Sequence, residues 1–178
     1  MSRTIPTINT ARATLRAMRP DDFDRYAQIW AMPEVVRFVG ACPQSRGESW
    51  NGFLRNAGHW QVTGFGQWAI EDHASKAMVG QVGFFYGARG LGEDYDTYPE
   101  AAWFLDPAFS GSGLAKEAAL AAHDWFDRVV TGPLVCRVAE GNTRSHKLAE
   151  KLGYAHLRKT VSDGRDYVLM FRKSPPQV

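Results

Sequence analysis

The sequence predicts an α/β (α+β) domain built on one central, mostly antiparallel mixed sheet with helices on both faces. Two observations carry that prediction. Stretches of alternating apolar residues give way to stretches at helical spacing in the order β-α-α-β-β-β-α-β-α-β-β, with one long helix between two strands. The chain has 178 residues, of which 44% are hydrophobic and 22% charged, enough apolar residues for a single buried core. The reading divides into an N-terminal extension over 1–10, one domain over 11–173 and a tail over 174–178.

Each element has its own signal. "ATLRAMRPDDFDRY" reads as a short strand, after which Pro20 and Asp21 open a helix. Residues 20–31 and 46–60 mix charges and aromatics at helical spacing. "GQWAIEDH" (66–73), "AMVGQVGFFYG" (77–87) and "EAAWFLD" (100–106) are strand-like, and residues 88–99 form a Gly- and acid-rich loop. "GLAKEAALAAHDWFDRVV" (113–130) is the long helix, with Leu114, Ala118, Ala121, Trp125 and Val129 on one face and His123 and Asp124 on the polar side. "PLVCRVAE" (133–140) is a strand, 143–152 a short helix capped by Asn142 and stopped by Gly153. Asp163-Gly164 turns a closing hairpin.

Composition excludes several classes. A net charge of +2 without a dense Lys/Arg stripe argues against nucleic acid as a partner, and no apolar run approaches the ~20 residues that cross a bilayer. From Met1 to Pro20 there are four arginines and no acid, superficially like a transit peptide, but the strand reading accounts for them. Two cysteines in no ligand spacing fit a reducing, cytoplasmic setting, and Cys136 in an apolar run reads as an inert buried thiol. No metal-ligand cluster and no Ser-His-Asp arrangement stands out. A homodimer is compatible with these features.

Two segments carry chemistry. "FSGSGLAKEA" (109–118) places Gly111, Ser112 and Gly113 at the mouth of the long helix, followed by Leu114 and Ala115. A plain turn explains it. So does a phosphate: the first helical turn leaves about four N–H groups unpaired, the macrodipole adds roughly half a positive charge, and small residues let an anion reach the backbone. Lys116 adds a charge. "EGNTRSHKLAEKLGYA" (140–155) opens a second helix, in which Ser145 shares a face with Leu148, Ala149 and Leu152.

In order, these segments resemble the GNAT superfamily of N-acetyltransferases, and within it the branch containing the ribosomal-protein N-terminal acetyltransferases. "SGSGLA" is similar to the acyl-CoA loop Gln/Arg-x-x-Gly-x-Gly/Ala at Gly113 and Ala115. "EAAWFLDPAFSG" resembles the preceding strand and loop, and "GNTRSHKLAEKLGYA" the branch's Asn-x-x-Ser…Glu-Lys-Leu-Gly-Phe/Tyr pattern. The likeness spans about residues 11–173. It implies a GNAT-like domain that moves an acetyl group from acetyl-CoA, as cosubstrate, directly to an amine, with no metal. Two departures stand out: Ser110 replaces the loop's Gln/Arg, and Ala149 replaces the Tyr that protonates the leaving thiolate in many members.

The roles that follow from the resemblance are expectations. A backbone N–H of Phe104 or Leu105 polarises the thioester carbonyl. Gly111, Ser112, Gly113, Leu114, Ala115 and Asn142 bind the cosubstrate, with Arg144 the best placed of Arg144, His146, Lys147 and Lys151 for a phosphate. Ser145 takes over the proton-donor role from the missing Tyr. Glu100, at a strand start beside the acidic loop, is the base, although a merely exposed carboxylate is an equal reading. Glu93, Asp94 and Asp96 either attract a cation or form a solvated loop. An α-amine, with a pKa near ~7.7–8.0, suits a modest base better than a lysine near ~10.4. This favours a peptide N-terminus or a small-molecule α-amine over lysine side chains, with an aminoglycoside or polyamine still open. The competing class is a non-catalytic acyl-CoA sensor, motivated by Ser110 and Ala149.

Overall fold

A computed structural model describes residues 3–40 and 42–176. Its elements are β1 (Ile8–Asn9), β2 (Ala13–Arg16), α1 (Phe23–Trp30), α2 (Pro33–Val39), α3 (Arg46–Thr63), β3 (Gln67–Asp72), β4 (Met78–Phe85), α4 (Glu93–Asp96), β5 (Glu100–Leu105), α5 (Leu114–Val129), β6 (Leu134–Ala139), α6 (Thr143–Lys151), β7 (Ala155–Ser162) and β8 (Arg165–Arg172). All eight strands form one sheet in the order β1-β2-β3-β4-β5-β6-β8-β7. Every neighbouring pair is antiparallel except β5 and β6. The mixed, mostly antiparallel sheet is the one expected from sequence.

Alternation of side chains across the strands sorts the core into two layers. On one face Trp68, Ile70, Val82, Phe84 and Ala101 pack against Ala118, Ala122 and Phe126 of α5. On the other, Ala69 and Met78 meet Tyr26 and Phe53, and Phe104 meets Ile29 and Val35. Helices α1, α2 and α3 therefore cover one face, and α5 and α6 the other.

Three elements add to the expected order: β1, α2 and α4. Residues 3–10, marked off from sequence as an extension, pack onto the domain. Ile8 and Asn9 pair with β2, and the Trp68 indole donates to the Pro6 carbonyl at 2.8 Å. Met1, Ser2, Gln177 and Val178 lie outside the described residues. Helix α3 starts on a reciprocal cap, Ser45 accepting from the Glu48 N–H and Glu48 from the Ser45 N–H.

The long helix α5 presents a different face from the one expected. Leu114, Ala118, Ala119, Ala122, His123, Trp125 and Phe126 are buried, whereas Val129 is 60% exposed. His123, expected on the polar side, is a core residue. Its Nδ1 lies 2.7 Å from the Ala119 carbonyl and its Nε2 2.9 Å from the Tyr154 hydroxyl. A carbonyl only accepts, so Nδ1 carries the proton and the tyrosine donates to Nε2. Burial, aided by Arg172, lowers the His123 pKa to about 4. No helix among the described residues is long and apolar enough to cross a membrane.

Candidate active site

The site begins where the sheet parts. Strands β5 and β6 share one register pair, Glu100 with Val135, and diverge beyond it. Which backbone groups of β5 face the opening follows from its other neighbour. The Asp106 N–H donates to the Val79 carbonyl at 2.8 Å, and the β4–β5 register runs without a shift. In an antiparallel ladder alternate residues make the hydrogen bonds. Phe104 and Ala102 therefore turn their amides to β4, while Trp103 and Leu105 turn theirs toward β6 and the opening. Of the two amides expected from sequence, Leu105's faces the gap and Phe104's does not. Trp103's, not anticipated, joins it.

A cavity of about 300 Å³ runs through this parting, lined from both faces of the sheet. On the α5/α6 face the Trp103 indole donates to Ser145 Oγ at 3.3 Å, and Asn142 caps α6 by accepting from the Ser145 N–H at 3.2 Å. Ala149, at the position where the resemblance would place a tyrosine, is fully buried in the core.

On the opposite face stands Glu100, 4% exposed. The exposed-carboxylate reading is thereby overturned. Both its oxygens accept from Arg89, from Nε at 2.6 Å and Nη2 at 2.9 Å. Arg89 belongs to the loop read only as acid-rich, and the acids there hold the loop rather than face a ligand. Asp96 accepts from the N–H groups of Arg89, Leu91 and Gly92, and Asp94 pairs with Arg158. Glu93 is exposed. Cys136 is buried, and burial with the nearby Glu100 charge pushes its thiol pKa up.

At the outer end of the parting lies the glycine segment. Gly111 and Gly113 have φ of +80° and +83°, a region that side chains with a Cβ rarely enter, and Gly113 is the N-cap of α5. A Cβ on Gly111 would meet nothing within 4 Å, so the loop's flank is open. Ser112 turns inward: its hydroxyl donates to the Phe109 carbonyl and accepts from the Leu114 N–H. Two guanidiniums flank the loop. Arg12, unforeseen from sequence, donates to the Ser112 carbonyl at 2.6 Å while Glu117 holds it in place. Arg144 donates to Ser110 Oγ at 2.9 Å, bringing the two sequence motifs together through the residue that departs from the loop pattern. A helix N-terminus, left-handed glycines and two flanking guanidiniums suit a phosphate-bearing ligand. His146 instead donates Nε2 to the Ala139 carbonyl, and Lys147 and Lys151 are exposed.

A sheet split beside a glycine-rich helix mouth is an arrangement suited to a long phosphate-bearing ligand. Likeness to known proteins gives that arrangement a family. The GNAT acetyltransferase domain matches residues 12–155, and the chain belongs to that family. Its chemistry is the acetyl-CoA-dependent transfer of an acetyl group. A GNAT-family acetyltransferase from Bordetella pertussis superposes with a TM-score of 0.85 at 28% identity, over 94% of this chain and 99% of that one. A ribosomal-protein-S5-alanine acetyltransferase from Vibrio fischeri gives 0.75 at 14%, over 96% and 97%. A spermidine N-acetyltransferase from Vibrio cholerae, solved with CoA and spermine, gives 0.71 at 20%, over 91% and 95%. The last two share the fold.

Proposed function

We propose that the protein acetylates an α-amine by direct attack on acetyl-CoA, the amine entering from the α1–α3 face and the cosubstrate from the α5/α6 face. The observation that supports this reading most is the opposition of Glu100 and Ser145 across the β5–β6 parting. Acetyl-CoA supplies an activated acyl group. The protein's residues hold it, polarise it and move two protons.

The segment 111–115, with Arg12 and Arg144, holds the phosphates. The amides of Leu105 and Trp103 face the gap and donate to the oxygen on which charge develops. Glu100 takes the amine proton, directly or through one water. Arg89 occupies two of its roughly four acceptor positions and fixes its orientation, leaving the others for the proton. Ser145, held by Trp103 and by the Asn142 cap, donates to the departing thiolate. The ribosomal-protein-S5-alanine and spermidine enzymes share this fold and differ in acceptor, so the acceptor is a matter for the cavity rather than the fold.

A second reading, an acyl-CoA sensor without turnover, draws on the buried Ala149 where a donor tyrosine stands in many relatives. One experiment separates the two: acetyl-CoA-dependent thiol release across a panel of small amines and N-terminal peptides. Sustained release with any acceptor supports the enzyme. Tight acetyl-CoA binding with no release over the whole panel supports the sensor.

A further inference from the structure

Charge is distributed unevenly along the cavity. Three guanidiniums line it, from Arg55, Arg89 and Arg137, against one carboxylate, Glu100. Arg89 and Glu100 neutralise each other through their bidentate pair. Arg137 has no carboxylate partner among the described residues: it touches the Ser162 hydroxyl at 3.2 Å and lies over the Tyr167 ring at 4.1 Å. It stands on β6 two residues beyond Val135, the register partner of Glu100, and so shares that residue's face across the opening. Arg55, exposed on α3, lines the mouth, likewise without an acidic partner there.

The cavity also holds a buried acceptor that none of the described residues satisfies. Gln81 is 2% exposed; its amide nitrogen donates to Gln67, while its Oε1 has no partner among the described residues. An acceptor oxygen left bare in this way is destabilising and favours an incoming N–H. Gln81 lies on β4 opposite Phe104, on the face that Glu100 occupies. The lining therefore offers an acceptor for an amine and two uncompensated cations for something else.

We propose that the acceptor is a small amine that also carries a carboxylate, of the α-amino-acid type, and that Arg137, with Arg55 at the mouth, binds the carboxylate while Gln81 Oε1 receives an amine N–H. The inference rests on the acetyl-transfer reading for its chemistry and on the lining charges for its selectivity. A polyamine would bring a second cation against the same guanidiniums, and a peptide N-terminus lacks the adjacent anion.

The test uses matched trios: an α-amino acid, its α-amide and its decarboxylated amine, with spermidine alongside. Each is assayed for acetyl-CoA-dependent thiol release with the full chain. The free acid is expected to lead the amide in kcat/KM by about 10–100-fold, the range of a charge-assisted hydrogen bond. That ratio falls toward one in Arg137→Gln and partly in Arg55→Gln, while Arg137→Lys, which keeps the charge, retains much of it. Amides, decarboxylated amines or spermidine used as well as the acids overturn the proposal, as does a ratio unmoved in both glutamine variants. A second readout needs no turnover. N-acetyl amino acids and N-acetyl amino amides are titrated against the tryptophan fluorescence of Trp30 and Trp103, which line the cavity. If no trio member is acetylated yet the N-acetyl acids bind more tightly and lose that advantage in Arg137→Gln, the transfer reading falls and the anion site stands. Turnover without acid preference does the opposite: acetyl transfer stands and the anion site falls.

Discussion

His123 gives the protein a pH-dependent stability that can be worked out in advance. Its side chain is 3% exposed among Phe84, Trp103 and Tyr154, and burial lowers its pKa from 6.5 to about 4. Between those values the unfolded chain binds a proton that the folded one refuses. Stability is therefore full above pH 6.5 and declines as pH falls toward 4. The difference between the two pKa values corresponds to roughly 3 kcal/mol at the lower limit and about 2 kcal/mol at pH 5. For a chain of this length the latter lowers Tm by about 4–8 °C. The acids with lowered pKa, among them Asp22, Asp94 and Glu117, start from 3.8 or 4.5 and lose their contribution below that range, so the interval from 4.5 to 6.5 belongs to the histidine. Urea unfolding at half-unit steps from pH 4.5 to 8 measures the slope. His123→Gln keeps an acceptor for the Tyr154 hydroxyl; it should be less stable at pH 8 and nearly flat across the interval. Equal slopes in the two proteins would refute the buried neutral imidazole.

Three further outcomes bear on the site. Glu100→Gln should cut kcat/KM by about 10²–10⁴, the span of general base catalysis, with the loss greatest at neutral pH and shrinking as the amine deprotonates unaided; an unchanged rate and profile moves the base elsewhere. Ser145→Ala should lower kcat with acetyl-CoA affinity nearly intact, and the opposite pattern, measured by calorimetry, makes it a binding residue. Gly113→Val is a poor probe of the loop because φ at that position is +83°, so folding suffers as well. Ser112→Asp is read against Ser112→Ala: both lose the donation to the Phe109 carbonyl, but only the aspartate repels phosphate, so its Kd for acetyl-CoA should exceed the alanine variant's by about tenfold or more, and equal affinity in the two would remove the loop from the site.

The segment from β5 through α6 is legible in the sequence because it carries its information locally. Asn142, the two glycines and the alanine-rich run are short-range signals, and each leaves a visible backbone consequence. What escapes a sequence reading is set by tertiary contact. Helix α2 has only seven residues, too few to show a helical period, and is held by Val35 against Ile29 and Phe104. Arg12 and Arg89 reach their partners from loops, and neither has a periodicity to announce it. The residue type of His123 suggests solvent, whereas a shift of the apolar stripe to include Ala119, Ala122 and Phe126 carries it into the core. Strand parity, applied to β4 and β5, puts Gln81 on the same face of the sheet as Glu100 and sets Trp103's amide apart from Phe104's.

An open sheet ordinarily ends twice, once at each margin. This one has two more margins in its middle, since β5 and β6 separate after a single pair. Outer margins invite strands from other chains, and proteins blunt them with charge, twist or brevity. The inner ones are guarded by position instead, with α2 packed near both strands on one side and α5 and α6 on the other. They leave backbone donors and acceptors of two strands facing one another across an internal gap. A foreign strand, which would need an exposed flank, is kept out. The break in the pairing thus places bondable strand edges inside the fold rather than at its rim.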